Sequence, residues 1–266
     1  MRSVVSKDET RIACFEAGAG SPLVLVHGTS ADHTRFGSVI PQLQERFSVF
    51  AMDRRGSGAS GDSSDYTLER EAEDVAAVID EVAGAGRACL LGHSYGAIAC
   101  LEALVLTDRI EKVILYEPPI PVGHPGSPPG AIGRFEALLA RHEREAVVET
   151  FLTEIIKIPA TDVAKLKSLP SWPSRVAAAH TIPREMRAGE AFVLRAERFA
   201  QVRVPTLLLL GGDSPASFKA AIEAVARALP GSRVEVLPGQ KHMAMNTAPE
   251  MFVTTVLGFL SPAAPP

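Results

Sequence analysis

The run Cys89-Leu90-Leu91-Gly92-His93-Ser94-Tyr95-Gly96-Ala97-Ile98-Ala99 constrains this chain more than any other stretch. It opens with a short apolar segment, as a buried parallel strand does, and closes with small apolar residues suited to a helix packed on a sheet. Between the two lies G-x-S-x-G. A serine in that place rides a sharp strand-to-helix turn and presents its hydroxyl at the sheet edge. Gly92 and Gly96 then have a steric purpose, because strand and helix approach too closely there for a side chain. The N-terminal amides of the following helix point to where negative charge on a reacting oxygen would develop.

The surroundings of this turn alternate strand and helix. Arg11 to Phe15 reads as a first or second strand, Leu23 to Val26 as the next, running into His27, Gly28 and Thr29. Asp32 to Arg46 reads as a helix with Phe36, Val39, Ile40 and Leu43 on one face and a break or kink at Pro41. Phe47 to Met52 is a strand ending in Asp53-Arg54-Arg55-Gly56. Thr67 caps a helix over Leu68 to Ala83, closed by Gly84 and Gly86. Arg87 to Leu91 is the strand before the serine turn, Tyr95 to Leu106 a helix, and Lys112 to Tyr116 a strand ending at Glu117. Such alternation predicts a mostly parallel twisted sheet with helices on both faces. Ligands bind such sheets outside the carboxyl ends of the strands, where His27, Asp53, Ser94 and Glu117 all fall.

The rhythm breaks at Pro121 to Gly130, a Pro- and Gly-rich linker. From Ala131 to Phe199 the apolar spacing is helical, with runs at Phe135 to His142, Ala146 to Ile156, Asp162 to Ser168 and Phe192 to Phe199. The expected organisation is a core over 1–119 and 201–266, interrupted by a helical lid over 120–200. The sheet resumes at Val204 to Leu210, followed by Gly211, Gly212, Asp213 and Ser214. A helix over Ala216 to Leu229, a strand over Arg233 to Leu237, His242 and a helix over Pro249 to Leu260 complete the pattern. Ser261 to Pro266 reads as a frayed tail.

Length, charge and cysteine usage narrow the function. A chain of 266 residues with 46% hydrophobic and 22% charged residues builds a sizeable core, and its net charge of −4 gives no basic excess for nucleic acid. No apolar run is long enough to span a bilayer. Cys14, Cys89 and Cys100 match no metal or redox spacing, and the N-terminus lacks a signal-peptide core, so a cytoplasmic location is expected. His33, His124, His142 and His180 have no ligand spacing, so no catalytic metal and no cofactor are expected. The expected partner is a small-molecule substrate. The apolar lid helices could pair two chains as a homodimer or simply cover a pocket.

Ser94, Asp213 and His242 follow one another along the chain at strand ends. With His27-Gly28, Asp53-Arg54-Arg55-Gly56 and Gly92-His93-Ser94-Tyr95-Gly96, this order resembles the α/β-hydrolase superfamily in its lidded serine-esterase form, over nearly the whole chain. The resemblance implies Ser94 as nucleophile, His242 as its base and Asp213 as the acid that orients the imidazole. Glu117, which ends a strand at the same edge, is the alternative acid. The backbone amides of Thr29 and Tyr95 would form an oxyanion hole, each such donor typically contributing about 3 kcal/mol. His27 would hold the oxyanion loop and, with His93, shape the pocket; Phe135, Leu138, Phe151, Ile155, Trp172 and Phe192 are the lid's candidates for its wall, Trp172 reading mainly as lid packing. Members that dehalogenate or open epoxides carry a carboxylate at the nucleophile position, so Ser94 implies acyl transfer. The expected activity is cofactor-independent hydrolysis of a small apolar ester or lactone through an acyl-Ser94 intermediate. A carbon–carbon bond hydrolase, a non-hydrolytic ligand receptor, and a cofactor-free oxygenase or cyclase are the alternatives on this scaffold.

Overall fold

A computed structural model describes residues 1–123 and 127–261. The expectations for His124 and for the tail over 262–266 lie outside the described residues. Among the described residues eight strands form one sheet: β1 (Arg2–Val5), β2 (Arg11–Ala17), β3 (Ser21–Val26), β4 (Phe47–Met52), β5 (Ala88–His93), β6 (Ile110–Tyr116), β7 (Thr206–Gly211) and β8 (Ser232–Leu237). Their order is β1-β2-β4-β3-β5-β6-β7-β8. The β1–β2 and β2–β4 pairs are antiparallel and the rest are parallel. β1 is the strand that sequence patterning passes over. It is four residues long at the sheet edge and buries only Val4, too short for a periodic signal.

The central strands are apolar on both faces because helices cover both. On β3, Val24 and Val26 join the cluster under helices Leu68–Ala83, Tyr95–Ala103 and Ala216–Ala228. Leu23 and Leu25 join the opposite cluster, with Phe36, Val39 and Leu43 on one side and Phe252, Val253 and Val256 of helix Pro249–Leu260 on the other. That is the period-two alternation of a strand sorted onto two layers. Thr67 caps helix Leu68–Ala83, its Oγ1 accepting from the Arg70 amide at 3.2 Å. The single helix expected over Asp32 to Arg46 is instead two short turns, a 3₁₀ turn at His33–Phe36 and a helix at Ile40–Leu43. Pro41 lies in the first turn of the second, where its missing N–H costs nothing.

Between β6 and β7 the chain forms helices Ala131–Ala140, Arg144–Thr150, Ala160–Lys167, Trp172–Ala177 and Ile182–Ala191. A five-residue π-helical turn, Phe151–Ile155, follows the second of them. These elements share their own apolar cluster, centred on Phe135, Val148, Phe151, Trp172 and Ile182. They meet the sheet edge through polar contacts: Arg175 Nη1 donates to the Ser30 carbonyl at 2.7 Å, and Arg184 Nη2 donates to Asp62 Oδ1 at 2.7 Å. Among the described residues no helix is long and apolar enough to cross a membrane.

Candidate active site

Ser94 follows β5 and precedes helix Tyr95–Ala103, with φ +56° and ψ −128°. A serine avoids that backbone region unless its surroundings enforce it. Here β5 is hydrogen-bonded on both sides, and the Ser94 amide donates to the Tyr116 carbonyl at 2.9 Å. The helix then turns back so tightly that a Cβ on Gly96 would lie 2.4 Å from the His27 carbonyl oxygen. The strain therefore serves to lift the hydroxyl out of the strand toward the cavities described below.

His242 lies in the loop after β8. Tyr116 clamps this loop from below, its hydroxyl donating to the Lys241 carbonyl and accepting from the Ala244 amide at 3.2 Å. The His242 ring stacks on Phe218, with centroids 4.6 Å apart and an interplanar angle of 18°. His93 packs on it at 4.6 Å and hydrogen-bonds the His242 carbonyl through Nε2 at 2.8 Å. Burial, with the neighbouring His242 second, holds His93 well below the ordinary histidine range. A neutral His93 donating from Nε2 leaves its Nδ1 as the acceptor, buried and without a partner among the described residues.

The acid on His242 is Glu117, not the preferred Asp213. His242 Nδ1 lies 2.6 Å from Glu117 Oε2, and the Gly211 amide donates to Glu117 Oε1 at 2.7 Å. Glu117 is fully buried, with φ +47° directly after β6. Asp213 is exposed. The reason is the tightness of the β7 turn. The Gly212 amide donates to the Leu237 carbonyl, the Asp213 amide to that of Gln240, and the Ser214 amide to that of Gly211, at 2.9, 2.9 and 3.1 Å. A Cβ on Gly211 would meet the Gln240 carbonyl oxygen at 2.6 Å, so the turn lies flat against the His242 loop and Asp213 cannot turn back under the imidazole. The carboxylate comes from the neighbouring strand, and the longer glutamate side chain spans the added distance.

Thr29 lies in the loop after β3, and Tyr95 opens the helix after β5. Thr29 and Tyr95 line the same cavity as Ser94, and among the described residues neither backbone N–H meets an acceptor. His27 is fully buried and lines neither cavity, a correction to its placement in the pocket. The Arg54 amide donates to His27 Nε2 at 3.0 Å, which leaves Nδ1–H to donate to the Gly28 carbonyl at 2.8 Å. Burial, reinforced by Arg54, pushes His27 down to about 4, so it stays neutral and ties the two loops together. Arg54 is closed by Glu71 and Glu185, at 2.5 and 3.1 Å, and Arg55 by Asp74 and Asp8, at 2.7 and 3.0 Å. Asp32, His33 and Asp53 bring three ligand atoms within 4.8 Å of one another. Those atoms are already engaged within the protein: His33 N and Nδ1 contact Asp53 Oδ1, and Asp32 Oδ1 accepts from the Thr34 amide.

Two cavities flank Ser94 and His242. The larger, about 540 Å³, is mostly apolar, with Ile120, Val122, Phe151, Ile155, Met186 and Phe218 among its walls. The smaller, about 30 Å³, is lined by His93, Phe151, Leu152, Met243, Arg35 and Arg175 as well as Ser94 and His242. Of the expected wall residues, Phe151, Ile155 and His93 reach a cavity. Phe135, Leu138 and Trp172 pack inside the helical cluster, Trp172 Nε1 donating to Glu145 Oε1 at 2.9 Å, and Phe192 packs on the sheet core. The sequence reading passed over Arg35 and Arg175. Arg35 carried one usable signal, its place eight residues beyond His27, whereas Arg175 is brought in by helical packing alone.

Comparison with known proteins agrees with this architecture. Residues 23–255 match the family model described as the alpha/beta hydrolase family. An alpha/beta hydrolase from Sphaerobacter thermophilus superposes with a TM-score of 0.85 and 35% identity, covering 98% of this chain and 100% of that one. The esterase RhEst1 from Rhodococcus superposes at 0.77 with 26% identity, over 97% of each chain. A probable oxidoreductase, EphD, from Mycobacterium bovis is 37% identical over 120 residues, which is 43% of this chain and 20% of that protein. The chain thus matches about a fifth of the length of that relative. Sheet order, serine turn and family match converge on one assignment: the chain belongs to the alpha/beta hydrolase family.

Proposed function

We propose that the protein is a serine hydrolase that cleaves carboxylic esters or lactones through an acyl-Ser94 intermediate. The observation that carries this reading is the 2.6 Å contact between His242 Nδ1 and the buried Glu117 carboxylate, beside a serine held at φ +56°. With Nδ1–H donated to Glu117, Nε2 is the free acceptor on the cavity side. In the first step Nε2 takes the Ser94 hydroxyl proton as Oγ bonds to the substrate carbonyl carbon. The oxygen that gains negative charge is met by the Thr29 and Tyr95 amides. His242 returns the proton to the departing alcohol as the carbon–oxygen bond breaks. A water then loses its proton to His242, attacks the acyl carbon, and Ser94 leaves with that proton restored. The helical segment between β6 and β7 acts as the lid, contributing Phe151, Ile155 and Met186 to the apolar cavity.

A fluorophosphonate probe followed by peptide mass spectrometry tests this reading. The expected adduct is on Ser94, with p-nitrophenyl ester turnover lost in Ser94→Ala. Turnover surviving in that variant would sink the acyl-enzyme mechanism.

A further inference from the structure

The smaller cavity beside Ser94 has chemistry the proposed mechanism does not use. Arg35, from the 3₁₀ turn after β3, and Arg175, from helix Trp172–Ala177, both line it. Neither forms an ion pair with a carboxylate among the described residues, unlike Arg54 and Arg55 nearby. Arg175 is 6% exposed, and its hydrogen bond to the protein goes to the Ser30 carbonyl. Arg35 Nη1 reaches Asn246 Oδ1 at 3.4 Å, while its Nε is sealed from solvent with no hydrogen-bond partner among the described residues. Asp32 is the carboxylate whose charge acts on both guanidinium groups. Its Oδ1 is engaged by Thr34, and one negative charge answers for only one of two cations. Burial pushes Arg175 down to about 10, and burial together with Arg175 holds Arg35 well below the ordinary arginine range. Arginine nevertheless stays protonated in proteins, so these two groups remain cations in search of an anion.

Guanidinium groups pair bidentately with carboxylates and phosphates. The free space chooses between them, because a water needs roughly 10–15 Å³ of such volume. About 30 Å³ therefore holds about two oxygens, the head of a carboxylate and less than a phosphate or sulfate requires. Because Ser94 and His242 line the same space, that carboxylate lies close to the scissile bond.

We propose that Arg35 and Arg175 bind a carboxylate carried by the substrate itself, so that the enzyme acts on small esters or lactones bearing a free carboxylate, with the apolar remainder in the larger cavity. This inference rests on the serine-hydrolase reading for its chemistry and on the two arginines for its specificity.

Two pairs of esters test it, each pairing an anion with a neutral analogue of the same shape. Monomethyl succinate against methyl levulinate places the carboxylate on the acyl side. Acetoxyacetate against acetoxyacetone places it on the alcohol side. At least one anionic ester is expected to exceed its neutral partner in kcat/KM by about 10- to 100-fold, the effect of a charge-assisted contact. Arg175→Gln and Arg35→Gln, which lie in separate elements, are each expected to bring that ratio close to one. If either variant fails to fold, the wild-type ratio still decides. Ser94 labelled by fluorophosphonate, with neither anionic ester preferred, would overturn the carboxylate site and leave the hydrolase reading standing. An unlabelled Ser94 with no ester turned over would overturn the hydrolase reading instead. Calorimetry with succinate on Ser94→Ala then decides the site by itself: saturable binding weakened about tenfold in the arginine variants supports it, and absent binding, or equal binding of sulfate, overturns it.

Discussion

Arg54, Arg55, Arg35 and Arg175 lie near the sheet edge, and they fall into two kinds. Arg54 and Arg55 are fully buried, and each is enclosed by two carboxylates. Arg35 and Arg175 border the cavity at Ser94 and have no carboxylate partner among the described residues. Taking a charge out of water costs several kcal/mol, and a protein recovers this only by pairing it. The first pair recovers it internally and holds the loop after β4 against helix Leu68–Ala83 and, through Glu185, against the helical segment. The second pair leaves the cost standing, which is the state expected of groups that meet their counter-charge in a ligand. Glu117 and His242 belong with the open kind. Their side chains are hydrogen-bonded to each other at 2.6 Å, but one face of the imidazole site opens on the cavities.

The comparison predicts that open charges govern rate and closed charges govern stability. The largest effect is expected at Glu117. Glu117→Gln should lower kcat on p-nitrophenyl acetate by about 10⁴-fold, because the amide no longer fixes the imidazole tautomer or stabilises its charged form. Asp213→Asn should change it less than about twofold, since that side chain is exposed. The reverse ranking would return the role to Asp213. Next in size is Arg54→Met, which strands Glu71 and Glu185 without their shared cation. Urea unfolding is expected to show a loss of about 3–5 kcal/mol.

How much of this was legible in the sequence follows the same division. The serine turn, the strands that flank it and the late histidine were readable because each depends on local geometry: Gly92 and Gly96 for close approach, apolar runs for doubly covered strands. The acid was not, because Asp213 and Glu117 both end strands at one edge. What separates them is the path of the β7 turn against the His242 loop, a contact between residues some 25 to 30 positions apart that no local pattern encodes. Phe135 and Trp172 were readable as apolar helix residues. Whether such a residue faces its own helical cluster or the cavity is decided by how five short helices pack. Arg175 was invisible for the same reason, since a lone arginine on a helix ordinarily faces solvent.

His27 extends the comparison to pH. Its ring is closed on both sides, accepting from the Arg54 amide and donating to the Gly28 carbonyl, and burial holds its folded pKa at about 4. In the unfolded chain a histidine titrates near 6.5. Above that value His27 is neutral in both states and contributes no pH dependence. As pH falls from about 6.5 toward 4, only the unfolded state takes up the proton, so stability is lost across that window, by about 3 kcal/mol in total. His93, held neutral by burial, acts in the same direction. Urea titrations of the wild type and His27→Gln at pH 7 and pH 4.5 measure this. The variant should show a shallower acid loss by about 2–3 kcal/mol, and equal slopes would mean that His27 takes a proton in the folded protein.

The smallest expected change is the one that separates the two kinds of arginine most directly. Arg175→Met removes a cation that is 6% exposed and has no ion-pair partner among the described residues, and fills its space with an apolar chain of similar length. The hydrogen bond to the Ser30 carbonyl is lost, at about 1 kcal/mol, while the cost of holding an unpaired buried charge is relieved. These terms oppose each other, so urea unfolding should place the variant within about 1 kcal/mol of the wild type. A loss as large as that of Arg54→Met would mean that Arg175 is a structural cation like its neighbours. An unchanged or raised stability identifies a charge that the fold does not need, leaving the chemistry at Ser94 as the reason for its presence.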